Sequence, residues 1–239
     1  MGSAPREIGG MRIVLVGHGR MGRLVGDLAP EYGIEVAGVI DPLSPLHAAG
    51  PEDGRWRGVD VAIDFTFPEA VKTNAPALAR QGIDLVIGTT GWKADEPAVR
   101  QAAADAGVGV VAAPNFSVGV VLFEAIVARA AALFAAQPEF GAFLHEAHHA
   151  AKKDAPSGTA LFLKDAMVQA GFERAIDVSS TRAGAIPGTH TVGFDGPAET
   201  IVLSHAARDR TAFARGALTA AKWVAGRRGW FTMKDVLGV

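Results

Sequence analysis

Arg12-Ile13-Val14-Leu15-Val16-Gly17-His18-Gly19-Arg20-Met21-Gly22 reads as a β-branched apolar strand running straight into a G-x-G-x-x-G turn. A helical stretch, Arg20 to Ala29, follows and stops at Pro30, which lacks the amide a continuing helix needs. In such a strand–turn–helix unit the first glycine permits a tight turn. The second lets the backbone approach a pyrophosphate, and the third lets helix and strand pack closely. Glycines alone are a weak signal. Here a second strand, Ile34 to Ile40, ends in Asp41, 19 residues past Gly22, where a carboxylate would hold a ribose hydroxyl. The combination points to a dinucleotide site built from Gly17, His18, Gly19, Arg20, Met21, Gly22 and Asp41.

The alternation continues outward. Val59 to Asp64, Asp84 to Ile87 and Val108 to Ala112 read as strands, with Glu69 to Arg80 and Asp95 to Ala106 as helices between them. Strands alternating with helices imply an α/β fold, a Rossmann-like doubly wound parallel sheet with its ligand at the carboxyl ends of the strands. Those ends carry Phe65-Thr66, Gly88-Thr89-Thr90-Gly91 and Pro114-Asn115-Phe116-Ser117. Each alone is an ordinary turn, favoured by Gly, Asn, Ser and Thr for backbone reasons. Facing one crevice together, they suit a nicotinamide and its ribose.

Ser117 to Ala136 is a long helical window, and beyond Pro138 the character changes. Phe140 to Glu146, Val178 to Thr181, Gly188 to Phe194 and Glu199 to Ala206 read as strands, the last with alternating character. A second α+β domain with a mixed or antiparallel sheet is therefore expected over 118–206, after a dinucleotide-binding domain over 11–117. Thr211 to Ala225 reads as an amphipathic helix whose Phe213, Leu218 and Trp223 are core residues, and the tail Trp230 to Val239 is apolar enough to dock.

His145-Glu146-Ala147-His148-His149-Ala150-Ala151-Lys152-Lys153-Asp154-Ala155-Pro156-Ser157-Gly158-Thr159 gathers three of the chain's seven histidines. One isolated histidine is more often a satisfied structural residue, and a Lys-Lys pair a solvated turn. Two histidines, two lysines and a helix start within about a dozen residues point instead to acid–base work or anion binding. Ser157 is the expected N-cap of a helix over Ala160 to Ala170, whose first N–H groups would meet an anion.

Composition narrows the partners. A chain of 239 residues suffices for two small domains. Lys and Arg number 23 against 25 Asp and Glu, a net charge of −2 that offers no global reason to bind nucleic acid or an acidic membrane. The absence of cysteine excludes disulfides, thiolate metal sites and a Cys nucleophile, and is compatible with a reducing cytoplasm. The most apolar window, Val118 to Ala136, is interrupted by Glu124 and Arg129, and no N-terminal signal pattern occurs, so a soluble cytoplasmic protein is expected. The polar start, Met1 to Gly10, is assigned no structural role.

Glu146-Ala147-His148-His149 through Lys152 to Asp154-Ala155-Pro156-Ser157-Gly158-Thr159 resembles the signature E-x-H-H-x-x-K-x-D-A-P-S-G-T of the dihydrodipicolinate reductases. Asp64-Phe65-Thr66 with Pro68, Gly88 to Gly91, Ala113-Pro114-Asn115-Phe116, and Arg182-Ala183-Gly184 with Gly188 and His190 resemble motifs of that family in the family's order. The resemblance runs from Met11 to the C-terminus. It implies hydride transfer from NADH or NADPH to a small, cyclic, unsaturated dicarboxylate imine in lysine and diaminopimelate biosynthesis. It implies His148 as acid/base, Lys152 as proton donor, and His149, Gly158 and Thr159 as holders of a substrate carboxylate. It puts the cofactor on Gly17 to Gly22, Asp41, Gly88, Thr89, Thr90, Ala113, Pro114, Asn115 and Phe116, with no metal. It further implies that residues 207–239 return to the first domain and that a homotetramer forms through the second domain's sheet.

Two features depart from the family pattern. The chain between the Ser157 helix and Arg182 is short, and the glycine loop is one residue shorter than the commonest form. Asp41 is followed by Pro42, not by an arginine that would pair with a 2′-phosphate, so NADH is expected to serve at least as well as NADPH, with Arg20 and Arg23 the cations at hand. Another nicotinamide-dependent amino-acid dehydrogenase would share the scaffold, but the Lys152 and Ser157-Gly158-Thr159 signature argues against it. A non-catalytic dinucleotide sensor would need neither His148 nor Lys152.

Overall fold

The computed structural model describes residues 10–51, 54 and 56–239. The chain start that was assigned no structural role lies outside them up to residue 9. In chain order the strands are β1 (Met11–Val16), β2 (Ile34–Ile40), β3 (Val61–Asp64), β4 (Asp84–Ile87), β5 (Gly109–Ala112), β6 (Gly141–His148), β7 (Ile176–Arg182), β8 (Thr189–Asp195), β9 (Thr200–Ala206) and β10 (Gly229–Phe231). The helices are α1 (Arg20–Leu28), α2 (Pro68–Ala79), α3 (Glu96–Ala106), α4 (Val118–Ala135), α5 (Gly158–Gln169), α6 (Thr211–Val224) and α7 (Met233–Leu237). The chain divides into two units, one running to Val118 and resuming over Phe213–Gly238, the other spanning Gly119–Ala212. The return thus begins at Phe213, and 207–212 stay with the second unit.

The first unit's sheet runs β10-β5-β4-β3-β1-β2 with every adjacent pair parallel. Strand β1 has β2 on one side and β3 on the other, so strand order reverses there, and the crevice beyond its carboxyl end is where a doubly wound sheet takes its ligand. Strands β3 and β4 are buried at every residue, as the inner strands of a parallel sheet are. Helix α1 ends at Leu28 and tightens into a 3-10 turn, Ala29–Tyr32, that carries Pro30; Gly33 closes it in the left-handed region at φ 68°.

Strand β10 has no counterpart in the sequence reading, because three residues show no periodicity. Its place is fixed by distant partners. Asp84 accepts from the backbone N–H of Gly109 and of Gly226, each at 2.7 Å, tying the C-terminal segment to the sheet edge. Trp230 then packs against Trp92 and lies under the Arg100 guanidinium, 4.4 Å from the ring centre. Of the three aromatic or aliphatic residues read as core on α6, Leu218 is fully buried, whereas Phe213 and Trp223 are half-buried.

The second unit's sheet runs β7-β6-β8-β9 and is mixed: β6 and β7 are parallel, joined through α5, and the other pairs are antiparallel. One face packs on the helices, with Phe123, Val127 and Ala131 of α4 and Leu163 and Met167 of α5 against Leu144, Val192 and Phe194. By length and composition α4 is apolar enough to cross a membrane, and a third of it is buried within the structure. Strand β6 runs two residues beyond its expected end at Glu146 and so takes in His148. The reason is the ladder, since His148 pairs with Arg182 of β7.

Candidate active site

The glycine loop lies where its spacing requires. Gly17 sits at φ 91°, and a Cβ there would lie 2.6 Å from the Phe65 carbonyl oxygen; one on Gly22 would lie 2.0 Å from the Gly17 oxygen. Both positions are closed to any larger residue. Gly19 has nothing within 4 Å of such a Cβ, and it opens α1 without a side-chain cap. The chain thus leaves free space at the one glycine that must admit a pyrophosphate, over the N–H groups of the first turn. A dinucleotide fits this cradle.

Asp41 joins the loops after β1 and β2. Its Oδ2 accepts the His18 N–H at 2.9 Å and its Oδ1 the Leu43 N–H at 3.0 Å. At the end of β3, Asp64 is 4% exposed; its Oδ1 accepts from Thr66 N, Thr66 Oγ1 and Thr89 Oγ1 at 2.6–3.0 Å. Burial pushes the Asp64 carboxyl above its ordinary range, and its Oδ2 is buried without a hydrogen-bond partner among the described residues. The turn after β4 is held by Trp92 Nε1, which donates to Thr89 O at 2.7 Å, and Thr90 stands exposed beside it. After β5, Ala113 and Phe116 are buried, Pro114 is exposed, and Asn115 Oδ1 accepts the Ser117 N–H at 2.8 Å. All these expected cofactor residues fall at carboxyl ends of strands of one sheet.

The second unit carries a buried ionic network. Alternation along β6 puts Leu144, Glu146 and His148 on one face, and Leu144 and Glu146 are both fully buried. The Arg182 guanidinium grips Glu146 with two prongs, Nη1 to Oε2 at 2.9 Å and Nη2 to Oε1 at 2.7 Å. Oε1 also accepts the Ser157 N–H at 3.2 Å, and Oε2 meets His148 Nδ1 in a short hydrogen bond. Burial would raise the Glu146 carboxyl, but the hydrogen bonds from Arg182, Ser180 and His148 outweigh it and hold it down at about 2. With Nδ1 committed, His148 is left with Nε2 to do chemistry. That atom abuts Gly188, at φ 143°, where a Cβ would approach it to 3.1 Å.

Ser157 caps α5 as expected, its Oγ accepting the Ala160 N–H at 3.2 Å, a contact worth about 1 kcal/mol. The same oxygen meets His190 Nε2 at 3.0 Å. Burial, and next the neighbouring His148, push His190 down to about 4, so it is neutral at physiological pH. Lys152 Nζ pairs with Asp154 Oδ1 at 2.8 Å, and its backbone N–H closes a turn on His149 O at 3.1 Å. Gly158 and Thr159 open α5, with no side chain covering Gly158. His148, His149, Lys152, Gly158 and Thr159 therefore all belong to the second unit. Glu146, His148 and His190 each offer one ligand atom within 4.8 Å of the others. A cation there would have to share the carboxylate with Arg182.

Sequence reasoning gave Ser157 its cap but no role to Glu146, Arg182 and His190, although all three fall within motifs quoted around the histidine stretch and Arg182. Only strand pairing brings them together: Glu146 lies opposite His190 in β6–β8, and His148 opposite Arg182 in β6–β7. His47, whose Nε2 lies 2.9 Å from His18 Nδ1, was not singled out at all.

Known proteins agree with this architecture. The family model described as dihydrodipicolinate reductase, N-terminus, matches residues 11–116, and that described as dihydrodipicolinate reductase, C-terminus, matches 119–237. A 4-hydroxy-tetrahydrodipicolinate reductase of Methanoregula boonei is 37% identical over 95% of this chain and 98% of its own length. One of Archaeoglobus fulgidus is 36% identical over 95% of this chain and 100% of its own. Among solved structures, a dipicolinate-bound dihydrodipicolinate reductase from Paenisporosarcina sp. TG-14 superposes with a TM-score of 0.78 at 22% identity, covering 94% of this chain and 98% of that one. An engineered D-amino acid dehydrogenase bound to NADP+ gives 0.57 at 14% identity over 94% and 93%, a likeness of fold. Two family models that together span nearly the whole chain, and relatives above 35% identity along it, establish that the chain belongs to the dihydrodipicolinate reductase family.

Proposed function

We propose that this protein reduces 4-hydroxy-tetrahydrodipicolinate to tetrahydrodipicolinate with NADH or NADPH, a hydride and a proton being added to the ring and the 4-hydroxyl leaving as water, a step of lysine and diaminopimelate biosynthesis. The observation that carries the reading is the buried Arg182–Glu146–His148 network beside Lys152 and the start of α5, inside the segment matching the family's C-terminal model. The bound nicotinamide supplies the hydride. In the first unit, the open backbone at Gly19 and the first turn of α1 receive the pyrophosphate, and Asp41 holds the adenosine ribose. Gly88, Thr89 and Thr90, with Ala113 to Phe116, would hold the nicotinamide half, and Asp64 fixes the hydroxyls of Thr66 and Thr89 in the same turns.

In the second unit, the N–H groups of Gly158 and Thr159 and the His149 side chain take a substrate carboxylate. Lys152, steadied by Asp154, gives a proton to the ring carbon beside the one that receives hydride. Glu146 remains ionised because Arg182 grips it, so it keeps the Nδ1 proton of His148 in place and leaves Nε2 as the acid/base atom. Glu146 and Arg182 are positioning residues in this scheme. The net charge of −2 gives no global reason to bind nucleic acid or an acidic membrane, which supports an enzyme of small molecules with neither partner, and the absence of cysteine is compatible with a reducing cytoplasm. The exposed face of the mixed sheet, with Ser179, Val202 and Ser204, supports a homotetramer formed through it, which light scattering would test.

The activity is tested by making the substrate in place from pyruvate and aspartate semialdehyde through the preceding synthase, and following nicotinamide absorbance with each cofactor. Oxidation that needs both the synthase and this protein is expected. No oxidation from folded protein that still binds NADH would refute the reading.

A further inference from the structure

The loops that follow β1 and β2 meet in a pair of imidazoles. His47 Nε2 lies 2.9 Å from His18 Nδ1, with the ring planes at 81° and the centroids 4.4 Å apart. At that distance one nitrogen carries a hydrogen and the other accepts it, so the neutral pair is bonded. Both rings are half-buried beside Asp41, whose carboxylate accepts the His18 N–H. Arg23 Nε donates to the backbone carbonyl of His18 at 3.1 Å. A ribose diol asks only for the carboxylate. Two titratable rings around that acid suit a phosphate ester on the same ribose, since a protonated imidazole donates a charge-assisted hydrogen bond to a phosphate oxygen.

We propose, on the nucleotide-binding reading above, that His18 and His47 read the adenosine 2′ position of the cofactor. Paired and neutral, they leave the ribose hydroxyls to Asp41 and favour NADH. Protonated, both facing nitrogens become donors, the bond between them is lost, and the freed N–H groups take the 2′-phosphate of NADPH. Cofactor preference therefore moves toward NADPH as pH falls. Linkage sets the sign: a phosphate held by two imidazolium N–H donors binds more tightly to the protonated pair than to the neutral one.

The whole protein is titrated separately with NADH and NADPH, following reduced-nicotinamide fluorescence from about pH 8 to about pH 6. The ratio Kd(NADH)/Kd(NADPH) is expected to rise about tenfold over that interval. His47→Gln keeps a neutral hydrogen-bonding group that does not titrate, and should flatten the change to below about twofold. His18→Gln repeats the test from the other ring should the first variant fold poorly. The 2′-phosphate itself titrates near pH 6, but equally in every variant, so the comparison isolates the imidazoles. A wild-type ratio that stays constant with pH, or a change retained in full by the Gln variants, overturns this proposal while leaving NADH binding in place. Failure of both nucleotides to bind overturns the proposed function with it.

Discussion

Arg182→Met removes one half of a buried ion pair and leaves the other half behind. Glu146 is fully buried and loses two charge-assisted hydrogen bonds of 2.7 and 2.9 Å, while its remaining partners are a neutral backbone N–H, the Ser180 side chain and the His148 ring. Breaking a buried pair in this way costs about 3–5 kcal/mol. The cost depends on pH with a definite sign. In the wild type Glu146 titrates at about 2 against 4.5 for the free residue, so its stabilising contribution is complete above pH 4.5 and is lost as pH falls toward 2. In the variant, burial acts without the guanidinium, the carboxyl is pushed up, and proton uptake on mild acidification relieves the buried charge. The difference between wild type and variant should therefore be largest near neutrality and shrink as the solution is acidified. Urea unfolding followed by circular dichroism at about pH 8 and pH 5 measures it. Adding Glu146→Gln to the variant should recover part of the loss, because the uncompensated charge is gone. A loss under about 1 kcal/mol near pH 8, or one equal at both pH values, would refute the assignment of an ionised, Arg-held Glu146.

Other outcomes follow from the same contacts. Gly22→Ala drives a methyl to within 2.0 Å of the Gly17 carbonyl and should lower the melting temperature markedly, whereas Gly19→Ala meets nothing within 4 Å and should melt normally while weakening NADH binding; thermal melts and fluorescence titration separate the two. His190 is kept neutral, at about 4 against 6.5 for the free residue, so the stability it contributes is present above pH 6.5 and lost as pH falls through 4. His190→Gln should therefore remove about 2 kcal/mol of the wild type's loss between pH 7.5 and pH 5, read from urea unfolding at the two pH values. Lys152→Met should lower kcat by about 10²–10⁴-fold with little change in the dissociation constant for NADH, and wild-type turnover would reject it as the proton donor.

The parts of this molecule that could be read from sequence are those whose physics is local. A strand, three spaced glycines and a later acid describe the nucleotide cradle because chain sterics act over adjacent residues, and Gly17 and Gly22 are closed to side chains by their immediate neighbours. The Ser157 cap was legible for the same reason. What escaped depends on register. Glu146 and Arg182 are 36 residues apart and meet only because β6 and β7 pair, and His18 and His47 meet because two loops converge on Asp41. Strand β10 has three residues, too few for a period, and owes its place to Asp84 on a distant strand.

The central claim is that this chain moves hydride from a nicotinamide to the substrate ring, and isotope transfer tests it directly. Substrate generated in place is reduced with cofactor carrying deuterium at both C4 positions of the nicotinamide, and the product is weighed by mass spectrometry. The account requires tetrahydrodipicolinate bearing one cofactor-derived deuterium, formed at the rate of cofactor oxidation and slowed in step with it in Lys152→Met. Cofactor oxidation that leaves the product unlabelled, or no oxidation by folded protein that binds the cofactor, would contradict it.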